Sequence, residues 1–342
     1  MDQPREPYQT QGVRTISNVS LICTVYNESK TIRDFLESIT QLAALPSEIV
    51  IVDGGSKDDT VNLIREFLRK TTLDNIVKII VDPSCNLSSS PSPVARGRNV
   101  AIRNSSREII ACTDAGCIIE KNWLEKIVAP FSESSSVDVV SGWYLADAHT
   151  FFQRCLSIIY LIAPERVDSE RELPSSRSIA FKKSAWARVG GYPERGLWGE
   201  DTAFALQLRK AGCKFVYVPD AIVYWRIEFT LFSFIKSQYQ YGFGDGFHSI
   251  LVLNVFRNVV KLGVACCLIF LGVYLNPWFF ILLAMYWWIL PLNKRLKDAF
   301  RINTIIKFPL LAIIKVSSDT SYVVGYIAGR LTPRQPGFQR DA

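Results

Sequence analysis

Short apolar runs, each closed by a polar or acidic residue, recur through the first third of the chain. Residues 19–25 (VSLICTV) end in Tyr26, Asn27 and Glu28, and residues 47–52 end in Asp53. Residues 76–81 end in Asp82, and Ile109–Cys112 ends at Thr113 and Asp114, with Gly116 two positions on. Runs of this length and composition predict buried parallel strands. Between them, apolar residues return at spacings of three and four, as at Ile32, Phe35, Leu36 and Ile39, which predicts a helix over about 30–42. Asp58 and Asp59 open a second helix reaching about Lys70, placed where acids suit the helix dipole and the cap. A third helix, after a Ser/Pro loop, carries Arg96, Arg98, Asn99 and Arg103. Strand and helix in alternation predict a parallel sheet with right-handed crossovers. Ligands of such sheets lie beyond the carboxyl ends of the strands, so Asn27, Glu28, Asp53 and Asp114 are expected along one crevice edge. No GxGxxG follows the first strand, which argues against a dinucleotide enzyme.

The pattern then becomes less regular. Residues 123–133 read as a helix, 137–145 as a strand, 178–181 as a short strand and 184–189 as a short helix ending at Gly190-Gly191. The apolar stretch 151–162 fits no single place in this scheme. Trp198-Gly199-Glu200-Asp201-Thr202 opens a helix running to about Ala211, with Gly212 as its stop. The helix dipole favours ionised carboxylates at Glu200 and Asp201, the form that a general base needs.

From about residue 226 the chain changes character. Phe232, Ile235 and Tyr239 recur at helical spacing in an aromatic-rich segment, which predicts an amphipathic helix at a membrane interface. Residues 262–292 hold no charge at all. This stretch of 31 residues is long for one crossing, is divided by Asn276-Pro277, and is flanked by Arg257 and Lys261 before and Lys294, Arg295, Lys297 and Arg301 after. Positive charge on both flanks predicts a transmembrane hairpin, about 256–275 out and 277–292 back, with both flanks cytoplasmic. Residues 305–331 are expected to lie on the membrane surface and not to cross it.

The net charge of +7 belongs to this apolar part: residues 250–342 carry 11 Lys/Arg against 3 Asp/Glu. That pairing points to a membrane and not to nucleic acid. Eight cysteines without a CxxC predict reduced thiols, and two histidines, His149 and His248, make a His-based metal site or triad a poor expectation. The polar start MDQPREPYQTQG lacks the apolar core of a signal peptide, so residues 1–17 are expected as a disordered tail and the following domain as cytoplasmic.

Taken together and in order, TVYNES (24–29), VDGGSKDDT (52–60), ARGRN (95–99), TDAGC (113–117), GGYPE (190–194) and GEDTAFALQLRKAG (199–212) resemble the family 2 glycosyltransferases. The resemblance covers about residues 19–225. It implies an α/β GT-A nucleotide-sugar-binding domain over 18–225 with a mixed, mainly parallel sheet. Interfacial helices (226–255), the hairpin (256–292) and a basic interfacial helix and tail (293–342) would follow. It further implies an inverting enzyme that moves a sugar from a nucleotide-sugar donor, with a divalent cation, Mg or Mn, as cofactor. The donor would meet Thr24, Tyr26, Asn27, Glu28, Arg96, Arg98, Asn99 and Arg226, with Asp53 on the nucleoside. Asp114 would hold the metal and diphosphate, Asp201 with Glu200 would supply the base, and Trp198 and Tyr239 would face the acceptor. The segment 238–246 resembles one that closes the donor site in membrane-bound members, and reads equally as a flexible glycine joint.

One departure stands out. The family's Asp-x-Asp is Asp114-Ala115-Gly116 here, so the second acid is missing. An acceptor hydroxyl must lose its proton as it attacks the anomeric carbon, and the leaving diphosphate develops charge; Arg96, Arg98 and Arg226 are the candidate cations for it. A lipid-linked or glycan acceptor at the cytoplasmic leaflet is expected, and self-assembly into an oligomer stays open. A processive polysaccharide synthase and a non-catalytic sugar-nucleotide-binding membrane protein are the rival readings.

Overall fold

The computed structural model describes residues 14–168, 173–196, 198–227, 230–283, 286 and 307–333. The chain divides into two compact units: residues 1–147 with 163–226, and residues 148–162 with 227–342.

The first unit is built on one eight-stranded sheet. Its strands are β1 (Arg14–Val25), β2 (Ala44–Asp53), β3 (Val77–Val81), β4 (Ile109–Cys112), β5 (Cys117–Ile119), β6 (Val139–Asp147), β7 (Ile179–Lys182) and β8 (Phe215–Arg226). They lie in the order β3-β2-β1-β4-β7-β6-β8-β5. The pairs β3–β2, β2–β1, β1–β4 and β6–β8 are parallel, whereas β7 runs against both β4 and β6, and β5 runs against β8. This is the expected α/β architecture with a mixed, mainly parallel sheet. The strand expected over 19–25 starts earlier, at Arg14, so Arg14–Ser17 of the expected tail is β structure: Arg14 to Ile16 register against Ala44 to Pro46.

Alternation along the strands sorts helices onto two faces. Leu21, Cys23, Ile49 and Ile51 pack with α1 (Ile32–Thr40), α2 (Thr60–Leu68) and α4 (Trp123–Glu133). Ile22, Val50 and Val52 turn the other way, toward α3 (Pro93–Arg103), α6 (Lys183–Arg188) and α7 (Glu200–Lys210). The winding reverses between β1 and β4, the place where open sheets of this kind form their crevice.

The second unit is helical. The stretch 151–162, unplaced by its sequence pattern, is helix α5 (Phe151–Tyr160), started by a capping box between Thr150 and Gln153. It belongs with α8 (Leu231–His248), α9 (Val252–Tyr274) and α10 (Lys307–Leu331), and not with the sheet. Tyr160 stacks on Tyr241 and meets Phe234 edge-on. Residues 238–246 form no flexible joint: they lie within α8. A Cβ on Gly242 or Gly246 would stand 2.0–2.1 Å from the carbonyl oxygens of Tyr322 and Tyr326, and one on Gly325 or Gly329 2.1 Å from those of Tyr239 and Phe243. Two small-xxx-small stripes therefore let α8 and α10 meet backbone to backbone.

α9 carries the apolar stretch, and most of it faces outward; Phe256, Phe270, Val273 and Tyr274 are all exposed. After Asn276-Pro277 the chain doubles back. Phe280 lies against Gly272, and the Tyr286 hydroxyl donates to the Lys261 carbonyl at 3.1 Å. The rest of the expected return limb, and the basic residues from Lys294 to Arg301, fall outside the described residues. Val252–Tyr274 and Pro309–Leu331 are each long and apolar enough to cross a membrane. The second of these lies in the segment expected to rest on the membrane surface. All eight cysteines are free thiols in the structure.

Candidate active site

The polar residues that close β1 and β2 form one stitched pair of loops. Asn27 takes a left-handed conformation (φ 56°), which an Asn tolerates. Its N–H donates to Ser56 Oγ at 2.8 Å and its Oδ1 accepts from the Lys57 N–H at 2.9 Å. The Glu28 N–H donates to Thr60 Oγ1 at 2.7 Å, and the Ser29 N–H to Asp58 at 3.1 Å. Burial is the largest single influence on the Asp58 carboxylate and works against it, but the donors from Thr60 and Ser29 together outweigh it and pull its pKa down to about 2. Tyr26 remains exposed at the crevice edge. Thr24 packs its methyl against Gly97, where any side chain would stand 2.8 Å from it, so the glycine in ARGRN lets α3 approach the end of β1.

Asp53 and Asn99 both spend hydrogen bonds within the first unit. Asp53 is fully buried, with Oδ1 accepting from the Gly55 and Ser56 N–H groups at 2.9 and 2.8 Å and Oδ2 from Ser56 Oγ. Its carboxylate shapes the turn. Asn99 is buried and saturated: Nδ2 donates to Tyr192 O and Glu194, and Oδ1 accepts from Trp186 Nε1 and the Tyr192 N–H, all at 2.8–2.9 Å. It latches α3 to the loop around Gly191, whose φ of +89° and close contact with Asn99 Oδ1 exclude a side chain.

The centre of the site is Arg98. Only 4% exposed, it donates through one terminal nitrogen to Asp114 Oδ1 at 2.8 Å and through the other to Glu200 Oε1 at 2.9 Å. Its guanidinium lies over the Tyr192 ring. Arg98 is thus a strut between the end of β4 and the first turn of α7. Burial would raise the Asp114 pKa, but Arg98 and Arg177 together hold it below the usual carboxylate range. At Glu200 the balance goes the other way: burial first, then neighbouring Asp201, push its pKa up against the pull of Arg98. Asp201 sits beside it with no ion-pair partner among the described residues. It accepts from Ser175 Oγ at 3.4 Å and, through Oδ1, from the Thr202 N–H at 2.8 Å.

The other two arginines are also engaged. Arg96 donates to Ser84 Oγ at 2.9 Å and pairs with Glu194 at 3.3 Å. Arg226 pairs with Asp34 and lies 3.9 Å from Asp147, while its N–H donates to the Gly116 carbonyl at 3.1 Å, so it flanks the Asp114 turn. Trp198 is half-buried just ahead of α7, and Tyr239 lies on α8 in the second unit.

Arg177 is the residue that the sequence motifs missed. It precedes β7, and because β7 runs antiparallel to β4, its start lies at the carboxyl end of β4 (Cys112 pairs with Ile179). Its guanidinium stacks on Trp225 at 4.4 Å and Tyr144 at 5.2 Å, with Nε 3.9 Å from Asp114 Oδ2. A search for polar residues after strands cannot find one that precedes a strand.

Among the described residues, Asp114 is the acid that this turn could offer to a divalent cation. Asp114 keeps about 30% of its side chain exposed with Oδ1 taken by Arg98, and no atom lies within 4 Å of a Cβ built at Gly116. Among the described residues no three His, Cys, Asp or Glu side chains converge to hold an ion by themselves. The residues fit a cation shared with phosphate oxygens and water, and do not fit one held by protein alone.

Comparison with known proteins agrees with this architecture. Glycosyltransferase AglE of Haloferax volcanii is 28% identical over 213 residues, covering 61% of this chain and 66% of AglE. The poly-beta-1,6-N-acetyl-D-glucosamine synthase of Staphylococcus epidermidis is 23% identical over 251 residues, covering 71% of this chain and 58% of the synthase. The chain thus spans between about half and two thirds of the length of these relatives. The mannosyltransferase PcManGT of Pyrobaculum calidifontis, solved with GDP-Man and Mn2+, shares the fold with a TM-score of 0.53 at 15% identity, over 91% of this chain and 86% of that one. The profile of glycosyl transferase family 2 matches residues 20–188, and that of glycosyl transferase family group 2 matches residues 109–293. With its motifs in order on this sheet and both profiles matched, the chain belongs to glycosyltransferase family 2.

Proposed function

We propose that this chain is a membrane-anchored, inverting glycosyltransferase that moves a sugar from a nucleotide-sugar donor to a hydroxyl of a lipid-linked or glycan acceptor at the cytoplasmic leaflet. The observation that carries the reading is the Asp114–Arg98–Glu200 bridge, which ties the carboxylate at the diphosphate end of the crevice to the acid pair of α7. In this reading the donor enters across the stitched β1 and β2 loops, with Tyr26, Asn27 and Glu28 along its nucleoside side. Asp201 accepts the acceptor's proton as its oxygen attacks C1 from the face opposite the diphosphate. The C1–O bond to the diphosphate breaks with inversion. Glu200 is held by Arg98 and is the less free of the two to take that proton. Asp114 would hold a divalent cation, Mg or Mn, together with the donor's phosphates; bound there, the ion neutralises the charge that develops on the leaving group. Arg98 keeps Asp114 ionised and aimed while this happens. The exposed apolar length of α9 and the chain reversal after Pro277 support a membrane hairpin.

The experiment is a panel of nucleotide sugars offered to the purified chain, reading release of nucleoside diphosphate and the anomeric configuration of the product. One donor should be turned over with inversion, and excess chelator should slow it. Turnover of none, or retention of configuration, contradicts the reading. A processive synthase is the second reading, favoured by likeness to the poly-N-acetylglucosamine synthase; product length separates the two.

A further inference from the structure

Arg98 holds two of the three acids in the site, Asp114 and Glu200, while no ion pair reaches Asp201 among the described residues. Asp201 Oδ1 accepts from the N–H of Thr202, the next residue of its own helix, at 2.8 Å. That anchor alone would let the carboxylate pivot about Oδ1. The other oxygen, Oδ2, is reached from a separate segment, by Ser175 Oγ at 3.4 Å.

Ser175 opens the turn that leads into β7, and its carbonyl accepts from the Ser178 N–H at 3.1 Å to close that turn. Its Oγ accepts twice from Arg177, from the backbone N–H at 3.4 Å and from Nη1 at 3.2 Å. The first is the side-chain-to-backbone bond by which serine shapes a turn. A serine hydroxyl has two lone pairs and one proton. With both lone pairs facing donors, the proton is what Ser175 has left to give, and Asp201 Oδ2 is the acceptor in reach. A cation bonded to the same oxygen strengthens that donation. The neighbouring serines are committed elsewhere. Ser176 meets the Tyr192 hydroxyl at 2.9 Å, and Ser178 donates to the Ala221 carbonyl at 3.0 Å.

We propose that Ser175 is a positioning residue for the base: with its proton directed by Arg177, it holds the Asp201 carboxylate in one orientation during transfer. This rests on the reading of Asp201 as the base. Ser175 keeps its own proton throughout. The proton that moves is the acceptor's, which passes to Asp201 as the acceptor oxygen bonds C1 and the C1–O bond to the diphosphate breaks. A separation of 3.4 Å is long, as catalytic hydrogen bonds commonly are before substrate binds.

The test gives the full chain, in detergent, UDP-glucose, UDP-N-acetylglucosamine and GDP-mannose, and follows release of nucleoside diphosphate with water as acceptor. Ser175→Ala should lower kcat about 10-fold and change the donor KM by less than about twofold, as expected when a bond to a charged group is lost in the transition state. Ser175→Thr, which keeps the hydroxyl, should stay within about threefold of wild type. In an Asp201→Asn background, Ser175→Ala should cost less than about twofold more in single-turnover release, because it acts through a group already removed. Losses that multiply in the double variant overturn the proposal, since a residue that props up the turn or touches the sugar would still matter there. A Ser175→Ala rate near wild type also overturns it, as does a Ser175→Thr rate as low as that of Ser175→Ala. Near wild-type release by Asp201→Asn alone removes the base reading, and release from none of the three donors by the wild-type chain removes the sugar-transfer reading; either takes this proposal with it.

Discussion

The two units solve packing with the same residue types used in opposite ways. In the first unit, buried Asp53 and Asn99 are satisfied within turns and loops around a sheet, and glycine serves isolated turns and close approaches, as at Gly191 and Gly97. In the second unit, glycine is a packing surface: four of them bring α8 and α10 into backbone contact. Its buried polar groups pair across that seam, Ser318 with Gln238 and Tyr322 with Asp245. The first unit hides its apolar residues in two cores flanking a sheet, whereas α9 displays them. The difference teaches that the first unit is folded by burial from water. The second is held by close fit and interhelical hydrogen bonds, the forces that remain effective where lipid replaces water.

Each unit can be broken by itself. The largest loss should come from Arg98→Gln, which strands two carboxylates in a low-exposure site. Removing one partner of a buried pair costs about 3–5 kcal/mol, and the partial exposure of Asp114 places this case near the lower figure. Denaturant unfolding should show it, and adding Glu200→Gln should recover part of the loss, since one stranded charge is gone. Asn99→Ala should cost about 2–3 kcal/mol, because it leaves buried donors and acceptors of Trp186 and Tyr192 unpaired. Gly325→Val confines its damage to the second unit. It forces α8 and α10 apart at a cost of about 1–3 kcal/mol and should speed proteolysis between residues 231 and 331 while nucleotide binding persists. The smallest effect on stability belongs to Gly116→Asp, which finds open space. It should leave the melting temperature within about 1–2 °C and tighten Mn2+ binding measured by electron spin resonance, by supplying the absent acid.

Acid should also separate the loops from the rest. Asp58 has a folded pKa of about 2 against an ordinary value of 3.8, so its contribution is full above the higher value and fades as pH falls toward the lower. Asp58→Asn should flatten the acid limb of the stability curve between about pH 4 and 2, measured by urea unfolding.

How much of this could be read from the chain alone depended on local signal. β1, β2 and β4 announced themselves because each is an apolar run ended by a polar residue, and α7 by the acid pair after a glycine. β5 and β8 did not: β5 is three residues long and β8 mixes exposed and buried positions without a clear alternation. Their antiparallel pairing depends on partners far along the chain, Cys117 with Trp225 for instance. Arg177 was hidden for the same reason, since only the reversed direction of β7 carries it to Asp114. Arg98 and Asn99 were legible as residues of interest, but their contacts with Asp114, Glu200 and Tyr192 were not. The glycines at 242 and 246 resembled a joint because their partners, Tyr322 and Tyr326, lie some 80 residues on.

The central claim is that Asp201 is the base of a sugar transfer whose donor is held elsewhere in the crevice. Single-turnover transfer by Asp201→Asn, with nucleoside diphosphate affinity titrated on the same preparation, tests it most directly. The account predicts affinity within about twofold of wild type and transfer slower by about two to four orders of magnitude. Transfer near the wild-type rate, with the diphosphate still bound, would contradict it.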